Sequence, residues 1–192
     1  MLISLSFFYR PTLEVLEDLI GMALIRKSEQ GLLKGIIVEA EAYCGEDDPA
    51  SFASKGRTKK SESLYRSPGN AFIYLTYGMY YLLNIITEKE DFPAAVLIRA
   101  VEPVEGIPLM KKRRKTEELL NLCSGPGKLC QALGIDLSLN GVPVYSPDSP
   151  LIIDKGEKKG VKLVWKPRIG IREGKERLWR VYIKESPFIS FK

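Results

Sequence analysis

The sequence predicts a mixed α+β fold in a single domain dominated by β-hairpins. Three observations lead there: apolar runs punctuated by turn residues, a few short segments of helical periodicity, and no linker, repeat or low-complexity tract that divides the chain. At 192 residues the chain is long enough to bury a substantial core as one unit, residues 1–192.

Taken in chain order, Leu13, Leu16, Leu19 and Ile20 recur at helical spacing, so residues 11–20 read as a short amphipathic helix that Gly21 ends. Residues 22–27 and 32–43 read as strands joined through the turn Ser28-Glu29-Gln30-Gly31. Residues 50–67 are polar, basic and rich in small side chains, and read as an exposed loop. Residues 71–86 and 94–101 read as strands, the first reversing at Gly78, and residues 106–115 as a basic helix. A short helix over 127–134 is opened by Ser124-Gly125-Pro126-Gly127, where Ser124 suits an N-cap and Pro126 a first helical position. The turn signals Asn140-Gly141, Asp154-Lys155-Gly156 and Arg172-Glu173-Gly174 predict further antiparallel strands in the last third.

Lys and Arg total 29 against 24 Asp and Glu, a net charge of +5 that is compatible with a polyanionic partner. Cys44, Cys123 and Cys130 are odd in number and match no zinc or redox spacing, so no disulfide scaffold is expected. Histidine is absent, which excludes a Cys/His zinc site and a Ser-His-Asp triad. A general base must therefore be a carboxylate, lysine, tyrosine or cysteine, and without ligand clusters neither a metal nor an organic cofactor is expected. No segment reaches the ~18 apolar residues of a bilayer span, and the amino terminus lacks a signal-peptide pattern. The expectation is a soluble, intracellular protein with no membrane partner.

Two segments carry chemistry. Residues 69–84 hold four of the nine tyrosines. Phe72, Ile73, Leu75, Leu82, Leu83 and Ile85 would serve as ordinary core strands, but that reading leaves Tyr77-Gly78-Met79 unexplained. With Gly78 in the reversal, Tyr77 and Met79 project from a hairpin tip that has no core to enter, as a wedge between nucleic-acid bases would. In residues 37–43, strand alternation sets Val38, Ala40 and Ala42 on one face and Glu39, Glu41 and Tyr43 on the other. That face is either an ordinary solvated one or a carboxylate beside a base-stacking ring. Asn84 and Arg99 lie in apolar strands, where burial demands a partner; Glu41 is a candidate for Arg99.

The segments Ile37-Val-Glu-Ala-Glu-Ala-Tyr43, Tyr74-Leu-Thr-Tyr-Gly-Met-Tyr-Tyr-Leu-Leu-Asn84, Leu97-Ile-Arg-Ala-Val-Glu-Pro103, Cys123-Ser-Gly-Pro-Gly-Lys-Leu-Cys-Gln-Ala-Leu-Gly134, Pro167-Arg-Ile-Gly170 and Ser186-Pro-Phe188 resemble, in order and over nearly the whole length, the alkyladenine (3-methyladenine) DNA glycosylases of the hairpin-wedge type. The resemblance implies a compact α+β domain with a curved, largely antiparallel sheet, a protruding hairpin and surrounding short helices. It makes Glu41 the general base that activates water, with Arg99 and the backbone carbonyl of Ile169 holding that water. It makes Tyr43 and Tyr74 the rings that sandwich an extruded base, Tyr77 the side chain that fills the gap left in the duplex, and Asn84 a pocket residue that discriminates among purines. The implied partner is double-stranded DNA containing damaged bases, bound by a monomer in the cytoplasm of a prokaryote or the nucleus of a eukaryote.

The residues fit such chemistry. A base inside a duplex is out of reach unless the nucleotide is rotated outward, and cleaving its bond to the sugar builds positive charge that a carboxylate stabilises. No lysine stands beside Glu41 in the sequence, so simple hydrolysis leaving an abasic site is expected rather than Schiff-base chemistry. Where family members commonly carry a histidine, about eleven residues after the glutamate, this chain has Phe52. A third aromatic wall there favours cationic alkylated purines over neutral lesions such as hypoxanthine. Lys55, Arg57, Lys59 and Lys60, in the loop after the pocket strand, and Lys128, at a helix start, are the candidates for DNA-backbone contacts. The run Lys111-Lys-Arg-Arg-Lys115 reads equally as a solvated basic face. Two rival functions use other features: a non-catalytic binder of damaged or single-stranded nucleic acid has no need of Glu41 and Arg99, and a small-molecule enzyme has none for an exposed Tyr77.

Overall fold

The computed structural model describes residues 2–155 and 160–190. Among these, eight strands form one antiparallel sheet: β1 (Ala23–Ser28), β2 (Gly31–Cys44), β3 (Ala71–Thr76), β4 (Tyr80–Ile86), β5 (Ala94–Glu105), β6 (Leu151–Asp154), β7 (Leu163–Lys166) and β8 (Arg180–Ile183). Their order is β3-β4-β5-β2-β1-β6, and the sheet curls into a half-barrel within a single α+β domain. β2 is the spine. One edge of it pairs with β5, while the other is shared, Gly31–Ile36 with β1 and Glu39–Glu41 with β8, which in turn pairs with β7.

Three helices flank this sheet, the first and third packed on it and the second on the third. α1 (Thr12–Leu19) lies against β2 and β5, and its apolar stripe of Val15, Leu16 and Leu19 is buried. Pro11 takes the N-cap position, so the helix begins one residue after its predicted start. α2 (Ile107–Arg114) begins after Gly106, whose positive φ a side chain could not adopt without pressing on Leu32 and Leu33. Its basic residues are less solvated than their sequence suggests. Arg113 donates to the Ala132 carbonyl at 3.3 Å and Arg114 to the Leu122 carbonyl at 3.1 Å, which ties α2 to α3 (Pro126–Leu133) and the chain before it.

Three predictions are corrected. Residues 50–67 are not simply an exposed loop: they contain two short 3₁₀ turns, Phe52–Lys55 and Glu62–Tyr65, and bury Ser51, Ala53, Ser61, Leu64 and Tyr65. Their polar residues bond inward, Ser51 Oγ accepting from the Ala53 N–H and Ser61 Oγ donating to the Gly56 carbonyl, so small polar residues here build structure. Ser124 is not the N-cap of α3. It bridges to Ala100 of β5, and Gly125 occupies the cap position with Pro126 at the first helical one. β5 runs four residues past its predicted end at Val101, because Pro103 falls opposite Gly35 at an irregularity in the β2 pairing where its missing N–H costs little. Strands do occupy the last third, with Arg172-Glu173-Gly174 in the β7–β8 connection; Gly156 of the turn signal at 154–156 lies outside the described residues. No described helix is long and apolar enough to cross a membrane.

Candidate active site

The hairpin of β3 and β4 is in register from Ala71↔Ile85 to Thr76↔Tyr80, which leaves Tyr77, Gly78 and Met79 as its tip. Tyr77 and Gly78 both have positive φ (51° and 69°), and the Met79 N–H closes the turn on the Thr76 carbonyl at 3.1 Å. Positive φ is uncommon for a tyrosine. The side chain gains no burial in exchange: Tyr77 is 87% exposed and Met79 65%.

Behind the hairpin opens a cleft of about 850 Å³, walled by Tyr43, Phe52, Phe72, Tyr74 and Asn84 and reached by Tyr77. Phe52 and Tyr74 meet edge-to-face with centroids 4.7 Å apart, and the Phe72 ring lies tilted against Tyr74 at 5.4 Å. Asn84 is buried and donates to the Phe72 carbonyl at 3.2 Å, so it has the partner its position demands. Lys60 places its ammonium 4.1 Å over the Phe52 ring, so the cation-attracting face of this third wall already carries a cation.

Glu39 and Glu41 share the face that alternation assigns them, and neither is solvated: both are fully buried. Glu41 Oε1 accepts from the Ile169 N–H at 2.7 Å; Oε2 accepts from the Tyr43 hydroxyl at 3.0 Å and lies 3.2 Å from Arg99 Nη1. Tyr43, Arg99 and Ile169 line the cleft, so Glu41 sits directly behind a wall made by its own donors. It is the Ile169 amide, rather than its carbonyl, that faces the carboxylate. Burial pushes the Glu41 carboxyl above the usual range, against the opposing pull of Arg99, the Ile169 amide and the Tyr43 hydroxyl. Burial also drives the Tyr43 phenol well up, and the Tyr74 phenol to about 12, while the Cys44 and Cys123 thiols rise to about 12. Such shifts keep these four groups protonated and make them poor general bases.

Several residues that sequence reasoning did not assign hold this arrangement. Arg168 forms a bidentate pair with buried Asp48, 2.6 and 2.7 Å, donates to the Ala42 carbonyl, and lies 4.7 Å over the Tyr43 ring. Its place next to Ile169 in the chain is the signal that could have revealed it. Arg180 of β8 and Ser190 both bond Glu39, contacts for which the sequence offers no sign.

The candidate DNA-backbone cations differ in their surroundings. Arg57 is engaged by Glu62 and Asp91, both at 2.9 Å. Lys60 and Lys128 line the cleft, Lys128 donating to Asn121 Oδ1 at 2.5 Å, and Lys55 and Lys59 are exposed on the neighbouring segment.

Comparison with known proteins places this geometry in context. The family model described as Methylpurine-DNA glycosylase (MPG) matches residues 6–187. Similar proteins carry the name "Putative 3-methyladenine DNA glycosylase". One from Prosthecochloris aestuarii (strain DSM 271 / SK 413) is 47% identical over 187 residues, covering 96% of this chain and 89% of the relative. One from Methanocella arvoryzae is 46% identical, covering 96% and 94%, and one from Clostridium perfringens (strain SM101 / Type A) is 43% identical over the full length of both.

Proposed function

This chain belongs to the methylpurine-DNA glycosylase family, and from that premise we propose that it releases alkylated purines, 3-methyladenine among them, from duplex DNA with a water activated by Glu41. The observation that carries the mechanism is a fully buried carboxylate with a raised pKa, gripped by Arg99 and the Ile169 amide immediately behind an aromatic cleft.

The steps follow from the residues. Tyr77, with Met79 beside it, enters the duplex and replaces the stacking lost when the damaged nucleotide rotates outward, a rotation that costs a few kcal/mol. The extruded base lies between Tyr43 and Tyr74, with Asn84 testing its edge. An ionised carboxylate offers about four lone-pair sites. Three of those on Glu41 face the Ile169 amide, the Tyr43 hydroxyl and Arg99, which leaves one on Oε1 to accept a proton from water. As the bond from sugar to base lengthens, the sugar becomes oxocarbenium-like, and the Glu41 charge stabilises it while the water attacks. Arg99 and the Ile169 carbonyl orient that water. The base departs, an abasic site remains, and the strand stays intact. The enzyme acts as a monomer, with Lys55, Lys59, Lys60 and Lys128 meeting phosphates; Arg57 joins them only by giving up an acidic partner.

Incubating the protein with methylated duplex DNA, followed by separate assays for free base and for strand breaks, tests this reading. Free base with alkali-labile but unbroken strands is expected. Binding without release would make the protein a silent binder, and breaks without alkali would make it a lyase.

A further inference from the structure

Glu39, two residues before Glu41 on the same strand face, is fully buried and takes no part in the mechanism above. It accepts four hydrogen bonds. Arg99 Nε donates to it at 3.1 Å, Arg180 Nη1 at 3.0 Å, the Ser190 N–H at 2.5 Å and the Ser190 hydroxyl at 2.9 Å. The Ser190 oxygen also lies 3.2 Å from Arg99 Nη2. Arg99 is thus held on its Nε and Nη2 side by Glu39 and Ser190, and only Nη1 is directed at Glu41, 3.2 Å away. A guanidinium is planar, so fixing one edge fixes where the other points.

The backbone explains the close approach. β2 pairs irregularly with β5 on both sides of Glu39, and Arg99 lies opposite that irregularity, between Ala100 facing Glu39 and Ile98 facing Ala40. A bulge re-aims a side chain next to a site. On the other edge of β2, β8 supplies Arg180. Beyond β8 the chain turns at Ser186, whose hydroxyl accepts from the Phe188 N–H at 3.3 Å, packs Phe188 and Ile189 on the core, and delivers Ser190. The Ser186-Pro187-Phe188 motif thereby acquires a purpose.

We propose that Glu39 and Ser190 are positioning residues that fix the Arg99 guanidinium against Glu41, which makes the carboxy-terminal segment after β8 part of the active site. The inference rests on the glycosylase reading. The charged and titratable groups around Glu41 are Glu39 and Tyr43 on its own strand, Arg99 on β5, Tyr74 on β3 and Arg168 after β7. Arg99 is the principal charge holding the Glu41 carboxyl down. Ser190→Ala alters no charge, so any movement of the acid limb of the pH–rate profile reports the placement of Arg99.

Single-turnover release of base from methylated duplex DNA is measured across pH for wild type, Ser190→Ala, Ser190→Thr, Glu39→Gln and Glu41→Gln, with DNA affinity and melting temperature for each. The expected result is a fall of about threefold or more in Ser190→Ala and about tenfold in Glu39→Gln at unchanged affinity, the losses typical of a bond to a charged group. The acid limb of Ser190→Ala moves to higher pH, and Ser190→Thr, which keeps the hydroxyl, restores both rate and limb. Wild-type rates and an unmoved limb in Ser190→Ala, with Glu41→Gln inactive, overturn the inference while leaving the function intact. Wild-type release by Glu41→Gln overturns the function and this inference with it. If Glu39→Gln does not fold, Ser190→Ala alone decides.

Discussion

Replacing Arg168 by alanine removes a guanidinium that no solvent reaches. Its two bonds to Asp48 are 2.6 and 2.7 Å, and both side chains are fully buried. Truncating one partner of such a pair leaves an uncompensated charge, at a cost of about 3–5 kcal/mol. Asp48 keeps weaker donors, the Ala50 N–H at 3.2 Å and the Cys44 N–H at 3.4 Å, with Arg177 Nη1 at 4.0 Å. Those place the expected loss near the lower end, about 3 kcal/mol, or roughly 6–12 °C in melting temperature for a domain of this size. Because the pair acts as a unit, Asp48→Ala/Arg168→Ala should fall short of the sum of the single losses by at least about 1 kcal/mol. Denaturant titration of the four proteins completes the cycle. Base release should fall further in Arg168→Ala than in variants of equal stability elsewhere, since the adjacent Ile169 amide anchors Glu41. A melting loss below about 2 °C, or strict additivity, would refute the assignment of this pair as the buried strut of the site.

Three further outcomes are expected. Tyr77→Ala, at an exposed tip, should leave the melting temperature unchanged but lower release from duplex DNA by about tenfold or more, the worth of one stacked ring; unchanged release in a duplex assay would remove the wedge. Release of 3-methyladenine should exceed that of hypoxanthine, and Lys60→Met should widen the ratio by about threefold by freeing the Phe52 face; equal rates for the two lesions would refute the preference. On the proposed mechanism Glu41 acts as the ionised carboxylate, so activity is expected to rise with pH through its elevated pKa, and the Tyr43 hydroxyl opposes that elevation. Tyr43→Phe should therefore move the acid limb to higher pH, and a pH–rate profile with an unmoved or lowered limb contradicts the role given to that hydroxyl.

Local pattern made much of the architecture legible. Alternation in residues 37–43 assigns Glu39, Glu41 and Tyr43 to one face, Gly78 marks the hairpin tip, and the helical spacing of residues 13–20 locates α1. What the sequence could not reveal is which distant arginine meets which glutamate, because that depends on β8 taking over from β1 along the edge of β2. Arg99 was assignable through its anomaly in an apolar strand, whereas Arg180 and Ser190 lack any such mark. Residues 50–67 misled because serine and threonine side chains that satisfy the local backbone look, in sequence, like those that face water. The same segment brings Lys60 over Phe52, a contact that periodicity cannot foresee.

If the Glu41 carboxylate activates the water that displaces the base, Glu41→Gln should stop release without unfolding the protein. Gln retains an acceptor for the Ile169 amide, so fold and DNA affinity should persist. Single-turnover release of base from methylated duplex should fall by at least about 100-fold, the scale of a lost general base. Release at the wild-type rate by a folded, DNA-binding Glu41→Gln protein would exclude Glu41 as the general base.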